Sequence, residues 1–346
     1  MVNNTQSEWY QIIQGVPQGT VLGPLLFLLY VNDMTSTIGN NCSIVQYADD
    51  TVLYVCGYDA DTATNILAQN IENITNYFQS HKLSINVDKT KFMILHGCKN
   101  KAKIQKLDNI QLSVNETTIG QVFEAKYLGI VLDNKLALHT QTRNVLKNMA
   151  IGIKTIYTIR NFVPIKTRLL LLHSLVLCHL CYSAVLLNGI NVTLLDSLNR
   201  QVNWAVKACC FKSKYDSSSE LKIRHKILTA EHLIEYFSLI SLFRLINNES
   251  EAFKNLTFPN FPLKFNERTN KFTINTGAKN QKTEHIKKSF LNKTLNNWNT
   301  LPNIIKNEKS LPKFKSNIKE SLLKLSENIP KDRVISRAWD GFIIKQ

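Results

Sequence analysis

The chain has 346 residues, 44% of them hydrophobic, and carries 42 Lys and Arg against 26 Asp and Glu for a formal charge of +16. That apolar content supplies one large or two to three ordinary domains with real cores and excludes a disordered tail. The charge points to a polyanionic partner, nucleic acid or an acidic membrane surface. Its distribution is uneven: residues 1–125 hold seven basic and eleven acidic side chains (net −4), residues 126–346 thirty-five and fifteen (net +20). No Lys or Arg precedes Lys82, whereas Glu8, Asp33, Asp49, Asp50, Asp59, Asp61 and Glu72 do. An acidic platform followed by a basic arm fits cation binding next to polyanion binding. The seven cysteines (Cys42, Cys56, Cys98, Cys178, Cys181, Cys209, Cys210) are odd in number and scattered, mostly in apolar runs. They read as reduced core thiols of an intracellular protein. The opening MVNNTQSEWY has no basic stretch leading into an apolar one, so no signal peptide is expected.

In chain order, VLGPLLFLLYV at 21–31 follows a Pro and Gly turn and suits a buried helix. Cys42 to Val55 places β-branched and aromatic residues on both sides of Asp49-Asp50, as two strands meeting at a tight turn would. From Thr62 to Phe78 the spacing of Leu67, Ile71, Ile74 and Phe78 predicts a helix, with Asp61 as its cap. Leu83 to Val87 and Lys91 to Leu95 read as short strands flanking Asp88, Lys89 and Thr90. Ile110, Leu112 and Val114 alternate before a turn near Asn115 and Glu116. After Leu136 the pattern predicts helices over 138–160, 165–187, 192–211 and 221–246. Leu169 to Leu187 runs nineteen residues without a formal charge, near the minimum spanning length. His173, Ser174, His179 and Ser183 and the lack of an aromatic belt favour a core helix over a membrane span. Residues 251–284 are polar and read as a connector. Behind Pro312, Phe314, Ile318, Leu322 and Leu325 predict an amphipathic helix with Lys315, Lys319 and Lys324 on its other face.

Adjacent carboxylates on a turn between apolar strands are costly unless a cation or hydrogen bonds compensate them. Mg²⁺ takes carboxylate and phosphate oxygens, and a pair of such ions can clamp both oxygens of an in-line phosphoryl displacement. A bare Asp-Asp pair is more often a solvated turn. Here its surroundings decide. Tyr47-Ala48-Asp49-Asp50, preceded by Gly15-Val16-Pro17-Gln18-Gly19-Thr20-Val21-Leu22-Gly23-Pro24-Leu25-Leu26-Phe27 and Tyr30-Val31-Asn32-Asp33-Met34, resembles the reverse-transcriptase palm of jockey-like non-LTR (LINE-type) retrotransposons. LSINVDKT at 83–90 and KYLGIVLD at 126–133 follow in that family's order, and Trp298-Asn299-Thr300-Leu301-Pro302 and Leu311-Pro312-Lys313-Phe314-Lys315 resemble segments beyond the palm.

The resemblance implies an α+β fold, with a partial palm over 1–133, a helical thumb-like region over 134–250 and a basic, mainly helical region over 251–346. It implies an RNA-directed DNA polymerase working with Mg²⁺, deoxynucleotides, an RNA template and a primer or target DNA, and no membrane. Asp49 would be a direct metal ligand and Asp50 its auxiliary. Tyr47 would lie against the primer end. Pro17, Gln18 and Gly19 would form the turn under the incoming nucleotide and template base, and Lys89 would assist the departing pyrophosphate. Tyr127, Leu128 and Gly129 would form the primer grip, although an apolar strand with Gly reads equally as sheet core. Zinc binding by Cys178, Cys181, His173 and His179 is disfavoured, because four ligands on one short helix cannot surround a tetrahedral ion. Only sixteen residues precede Pro17, with Glu8 their sole acid, so the first metal-binding strand and the fingers are expected to lie outside the chain. The chain therefore reads as an N-terminally truncated fragment, inactive alone. The rival reading is a non-catalytic nucleic-acid-binding remnant.

Overall fold

The computed structural model describes residues 15, 19–57, 59–96, 107, 110–114, 117–213, 215–247, 263–266, 271–274 and 290–327. It mixes helix and sheet, and the chain divides into two compact units, Met1–Leu128 and Gly129–Gln346. The division falls between Leu128 and Gly129, and the described helices beyond residue 290 pack into the core of the second unit.

The first unit contains α1 (Leu22–Val31), a 3₁₀ helix (Asn32–Thr37), β1 (Ser43–Tyr47), β2 (Asp50–Tyr54), α2 (Ala60–Ser80), β3 (Leu112–Val114), β4 (Thr117–Ile119) and β5 (Glu124–Tyr127). The spine is α2. Asp59 caps it, accepting the Thr62 backbone N–H at 2.9 Å and its hydroxyl at 2.8 Å, so the cap lies two residues before the expected Asp61, which sits in the first turn. The α2 stripe serves two small cores. Leu67 and Ile71 pack on Phe92, Leu112 and Ile119, while Ile74 and Phe78 pack with Met34, Tyr77, Ile44 and Leu53. One helix thus carries both antiparallel hairpins, β1–β2 and β3–β4.

Two expectations are corrected here. Residues 83–87 and 91–95 form no strands; Phe92 makes an isolated parallel bridge with Gln121, and Val87 to Lys89 turn. With its polar flanks committed to Asn86-centred turn bonds, the segment has no regular partner edge. The helix over 21–31 forms but is not buried: only Gly23 and Val31 are, and Leu22, Leu25, Leu26, Leu28, Leu29 and Tyr30 are exposed. A helix apolar on all sides cannot hide itself by packing along one stripe. The turn expected at Asn115 and Glu116 lies outside the described residues.

The second unit begins with β6 (Ile130–Asp133) and continues with α3 (His139–Ile159), α4 (Ile165–Leu172), a π-helical turn (His173–Leu177), α5 (Cys178–Ser183), a 3₁₀ helix (Leu186–Gly189), α6 (Val192–Cys209), α7 (Ser219–Arg224), α8 (Ala230–Ile246), β7 (Leu263–Asn266), β8 (Lys271–Ile274), α9 (Phe290–Thr300), α10 (Asn303–Lys306) and α11 (Leu311–Glu327). The helix expected over 165–187 is interrupted by the π turn. There α3 comes so close that a Cβ on Gly152 would lie 2.2 Å from the Leu175 carbonyl oxygen, so only a glycine fits the crossing. The helix expected over 221–246 is two helices, because Lys226 takes φ 54° and Thr229 caps α8 by accepting the His232 N–H at 3.1 Å. The connector expected over 251–284 includes the antiparallel hairpin β7–β8 among its described residues.

Residues Ile165–Ser183 are long and apolar enough to cross a membrane by length and composition. In the fold Leu172, Val176, Leu177 and Leu180 lie fully in the core beside buried Arg168, while Leu170 and Tyr182 are exposed. The centre of this core is α8, which is apolar on all sides. α11 closes it with Phe314, Ile318, Leu322 and Leu325, the residues whose spacing predicted that helix. Phe314 stacks on Phe243 with ring centroids 4.2 Å apart, and Trp298 tilts against it at 5.6 Å.

One core group makes this unit sensitive to acid. His232 is buried, its Nδ1 lies 2.9 Å from the Ser326 hydroxyl, and burial foremost, with Lys222 nearby, pushes its pKa down to about 4. The fold therefore prefers the neutral ring. Its contribution is present above the unfolded value near 6.5 and is lost as pH falls through about 4, a penalty of about 3 kcal/mol at the low end. Denaturant melts at pH 7 and pH 4 should show this loss, and His232→Asn should show a smaller difference between the two.

Candidate active site

The β1–β2 hairpin is what the residues around the acidic pair predicted. Its strands pair in register from Ser43↔Tyr54 to Tyr47↔Asp50, leaving Ala48 and Asp49 as a two-residue turn. Ala48 takes φ 53°, the left-handed region that two-residue hairpins require and that costs a residue with a Cβ. Alternation decides the faces. Ile44 and Leu53 point to the α2 core, so Ser43, Val45, Tyr47 and their partners Asp50, Val52 and Tyr54 share the opposite face. Tyr47, Asp49 and Asp50 are exposed at the tip.

Five aspartates or their neighbours stand in the motif-like segments, and the structure sorts them. Asp33 accepts a short hydrogen bond from the Tyr77 hydroxyl, which holds its carboxyl below the usual carboxylate range. Asp133 gathers the backbone N–H groups of Lys135, Ala137 and Leu138 at 3.1, 3.0 and 2.6 Å, shaping the entry to α3. Asp88 lies in the Val87–Lys89 turn, exposed. The Asp49 and Asp50 carboxylates make no hydrogen bond or ion pair among the described residues. Their carboxylates, like that of Asp88, remain available, but only theirs stand side by side at a hairpin tip.

The Asp33 anchor was not visible in the sequence. Tyr77 lies off the apolar stripe of α2, and it is stacked on His81 with centroids 4.0 Å apart, while the Tyr30 hydroxyl donates to the His81 carbonyl at 2.6 Å. Burial foremost, then the bond to Asp33, pushes the Tyr77 pKa up to about 12. An unfolded tyrosine ionises near 10, so this contribution is present below pH 10 and is lost as pH rises through about 12. Melts of the wild type between pH 9 and 12 should show a loss that Tyr77→Phe lacks.

Of the other expected site residues, Tyr127 lies within electrostatic reach of Asp50. Burial raises its phenol pKa, as does the charge of nearby Asp50, and its hydroxyl is enclosed without a hydrogen-bond partner. Leu128 and Gly129 follow with φ 46° and 79°, two successive left-handed residues in a tight turn. Gly19 takes φ 87°, which favours glycine, and Pro17 and Gln18 lie outside the described residues. Lys89 is exposed in its turn, its backbone N–H bonded to Asn86 Oδ1 at 3.1 Å, and no bond joins it to Asp49 or Asp50. The thiols considered for zinc are occupied otherwise: Cys178 donates to the Ser174 carbonyl at 2.9 Å, and burial pushes Cys181 up to about 11.

Residues 1–132 match the family described as reverse transcriptase (RNA-dependent DNA polymerase). This part of the chain is a reverse-transcriptase domain of the non-LTR retrotransposon kind. The chain is 28% identical over 151 residues to the RNA-directed DNA polymerase from mobile element jockey of Drosophila melanogaster, covering 42% of this chain and 16% of that protein. It is 25% identical over 142 residues to the probable RNA-directed DNA polymerase from transposon X-element of the same species, covering 39% and 14%. It is 23% identical over 145 residues to the Pol polyprotein from type-1 retrotransposable element R1 2 of Nasonia vitripennis, covering 40% and 34%. The chain thus spans between about a seventh and a third of these relatives. No solved structure matches it significantly. The reverse-transcriptase match ends close to the boundary of the first unit, so the acidic hairpin falls inside it.

Proposed function

We propose that this chain is part of an RNA-directed DNA polymerase in which the β1–β2 hairpin is the metal-binding tip of the palm and the unit from Gly129 is a thumb-like holder of nucleic acid. The observation that carries the reading is the contrast among aspartates: Asp33 and Asp133 are tied into the fold, while Asp49 and Asp50 stand exposed with no partner among the described residues. Two carboxylates fit a hard cation such as Mg²⁺, which keeps water and phosphate oxygens in its remaining positions. Bound there, Mg²⁺ would neutralise charge on the triphosphate and favour ionisation of the primer 3′-hydroxyl.

In this reading Asp49 is the direct ligand and Asp50 the auxiliary one. Tyr47, on the Asp50 face, lies against the primer end. Pro17, Gln18 and Gly19 sit under the incoming deoxynucleotide and template base, and Lys89 serves the departing pyrophosphate. Tyr127, Leu128 and Gly129 hold the primer. The template is RNA, the primer is DNA or nicked target DNA, and the protein works inside the cell without a membrane anchor.

Among the described residues no third carboxylate, His or Cys joins Asp49 and Asp50. A polypeptide of these 346 residues alone is therefore expected not to extend a primer, whereas a chimera placing them after the upstream segment of the jockey polymerase should do so on an RNA template with Mg²⁺. Extension by the unfused polypeptide would show that no upstream strand is needed. The net +20 of residues 126–346 favours the second reading as well, a nucleic-acid binder without catalysis, which a chimera that binds but never extends would support.

A further inference from the structure

Where α3, α4 and α6 of the second unit end or begin side by side, cations collect with few counter-ions, Asp216 near Lys212 and Lys207 being one. Between residues 157 and 226 the chain has ten Lys and Arg against three Asp and Glu. The Arg160 guanidinium lies 3.6 Å from the centroid of the Tyr157 ring and 5.1 Å from that of Phe211, and the Arg168 guanidinium lies 4.2 Å from Phe211. Phe211 is turned toward them because α6 ends beneath it with φ 55°. Lys212 follows Phe211 directly in the chain, and Arg168, Arg224 and Lys212 are all near enough to Cys210 to lower its thiol pKa against the larger effect of burial, which raises it. Among the described residues none of Arg160, Arg168, Lys212 and Arg224 has a carboxylate within ion-pair distance. Asp216, the nearby acid, accepts the Ser213 N–H at 2.6 Å.

Arg168 has a structural explanation in part. It is buried, and its Nη1 donates to the Arg160 carbonyl at the end of α3 at 3.1 Å, where a cation suits the helix dipole. Its Nε is enclosed without a partner. Arg160 lies over the Tyr157 and Phe211 rings, Lys212 is near Asp216, and Arg224 ends its helix, but together they still leave an excess of positive charge, which opposes folding. Two exposed rings lie close to them in the chain: Phe162, 85% exposed, two residues after Arg160, and Tyr215, 92% exposed, three residues after Lys212. Cations spaced among bare aromatic rings fit a strand that offers phosphates and unpaired bases together; a duplex offers only the former.

We propose that Arg160, Lys212 and Arg224, with Phe162 and Tyr215, form a binding site for single-stranded nucleic acid, the cations taking phosphates and the rings stacking on unpaired bases. Arg168 positions Arg160 and Phe211. The site deepens the nucleic-acid-holding role proposed for this unit and rests on it, but it is tested by equilibrium binding, so a failure of catalysis and a failure of this site give different results.

The test uses the full chain and labelled 20-nucleotide RNA, DNA of the same sequence, and the DNA duplex, with anisotropy read across a salt series. Arg160→Gln/Lys212→Gln/Arg224→Gln should lower the slope of log K against log salt for single strands by about 2, from about 0.7 per phosphate contact. A control of equal charge, Lys309→Gln/Lys313→Gln/Lys315→Gln, should lower it by less than half as much. Phe162→Ala/Tyr215→Ala, which removes only exposed rings, should weaken at least one single strand by about tenfold or more and the duplex by less than about twofold. The strand weakened more is the natural occupant. Equal losses in the two triple variants, or an aromatic variant that binds single strands like the wild type, would overturn the proposal. Thermal melts of each variant identify any that fail to fold, in which case the single substitutions Lys212→Gln and Tyr215→Ala replace it.

Discussion

Asp49→Ala is expected to reduce primer extension by the chimeric polymerase by about a thousandfold or more while leaving affinity for nucleic acid nearly unchanged. The expectation separates two jobs that the proposed reading assigns to different units. Asp49 sits in the two-residue turn of β1–β2, exposed, where its loss removes no buried contact and cannot unfold the hairpin. Removing a ligand from a metal that stabilises the reacting phosphate forfeits several kcal/mol of transition-state stabilisation, and each 1.4 kcal/mol is a factor of ten. In the proposed reading affinity comes from basic residues elsewhere. Asp50→Asn keeps the strand pairing with Tyr47 and should cost less. Side-by-side extension and binding assays decide the matter: a large extension defect with intact binding supports Asp49 as a ligand, and equal extension by wild type and variant removes it from the site.

Phe314→Ala should destabilise the second unit by about 3–5 kcal/mol, a large part of the stability of any domain of this size. Its ring is fully buried and stacked on Phe243 of α8, with Trp298 of α9 beside it, so truncation leaves a cavity whose walls belong to three helices. Denaturant unfolding followed by Trp298 fluorescence would measure it. A cost below about 1 kcal/mol would mean that α11 is not part of a common core.

These two sites mark what was legible in the sequence. The acidic hairpin could be read because alternation, a tight turn and flanking motif residues all agree over fourteen residues. The α11 stripe could be read because helical spacing is local. By contrast, strands at 83–87 and 91–95 were expected from their β-branched content, yet strands exist only where another edge pairs with them, and the spacing of residues says nothing of that edge. The break at Lys226 was masked by apolar residues that continue on both sides of it. The Tyr77–Asp33 anchor joins residues forty-four apart, and no local pattern announces it. The bare flanks of α1 were missed for a related reason: apolar content shows what would gain from burial, not whether anything buries it.

The closing helix also sets an order of events during synthesis. α8 presents Phe243 to the ribosome's exit long before residue 314 is made, and its partner on α11 arrives only near the end of translation. The first unit draws its own small cores entirely from residues before 129, so it can settle while the remainder is still being polymerised. The second cannot finish until its last described helix has emerged. A nascent chain stalled anywhere between residues 250 and 310 would therefore display an unsealed apolar groove along α8, a natural target for chaperones that follow emerging polypeptides.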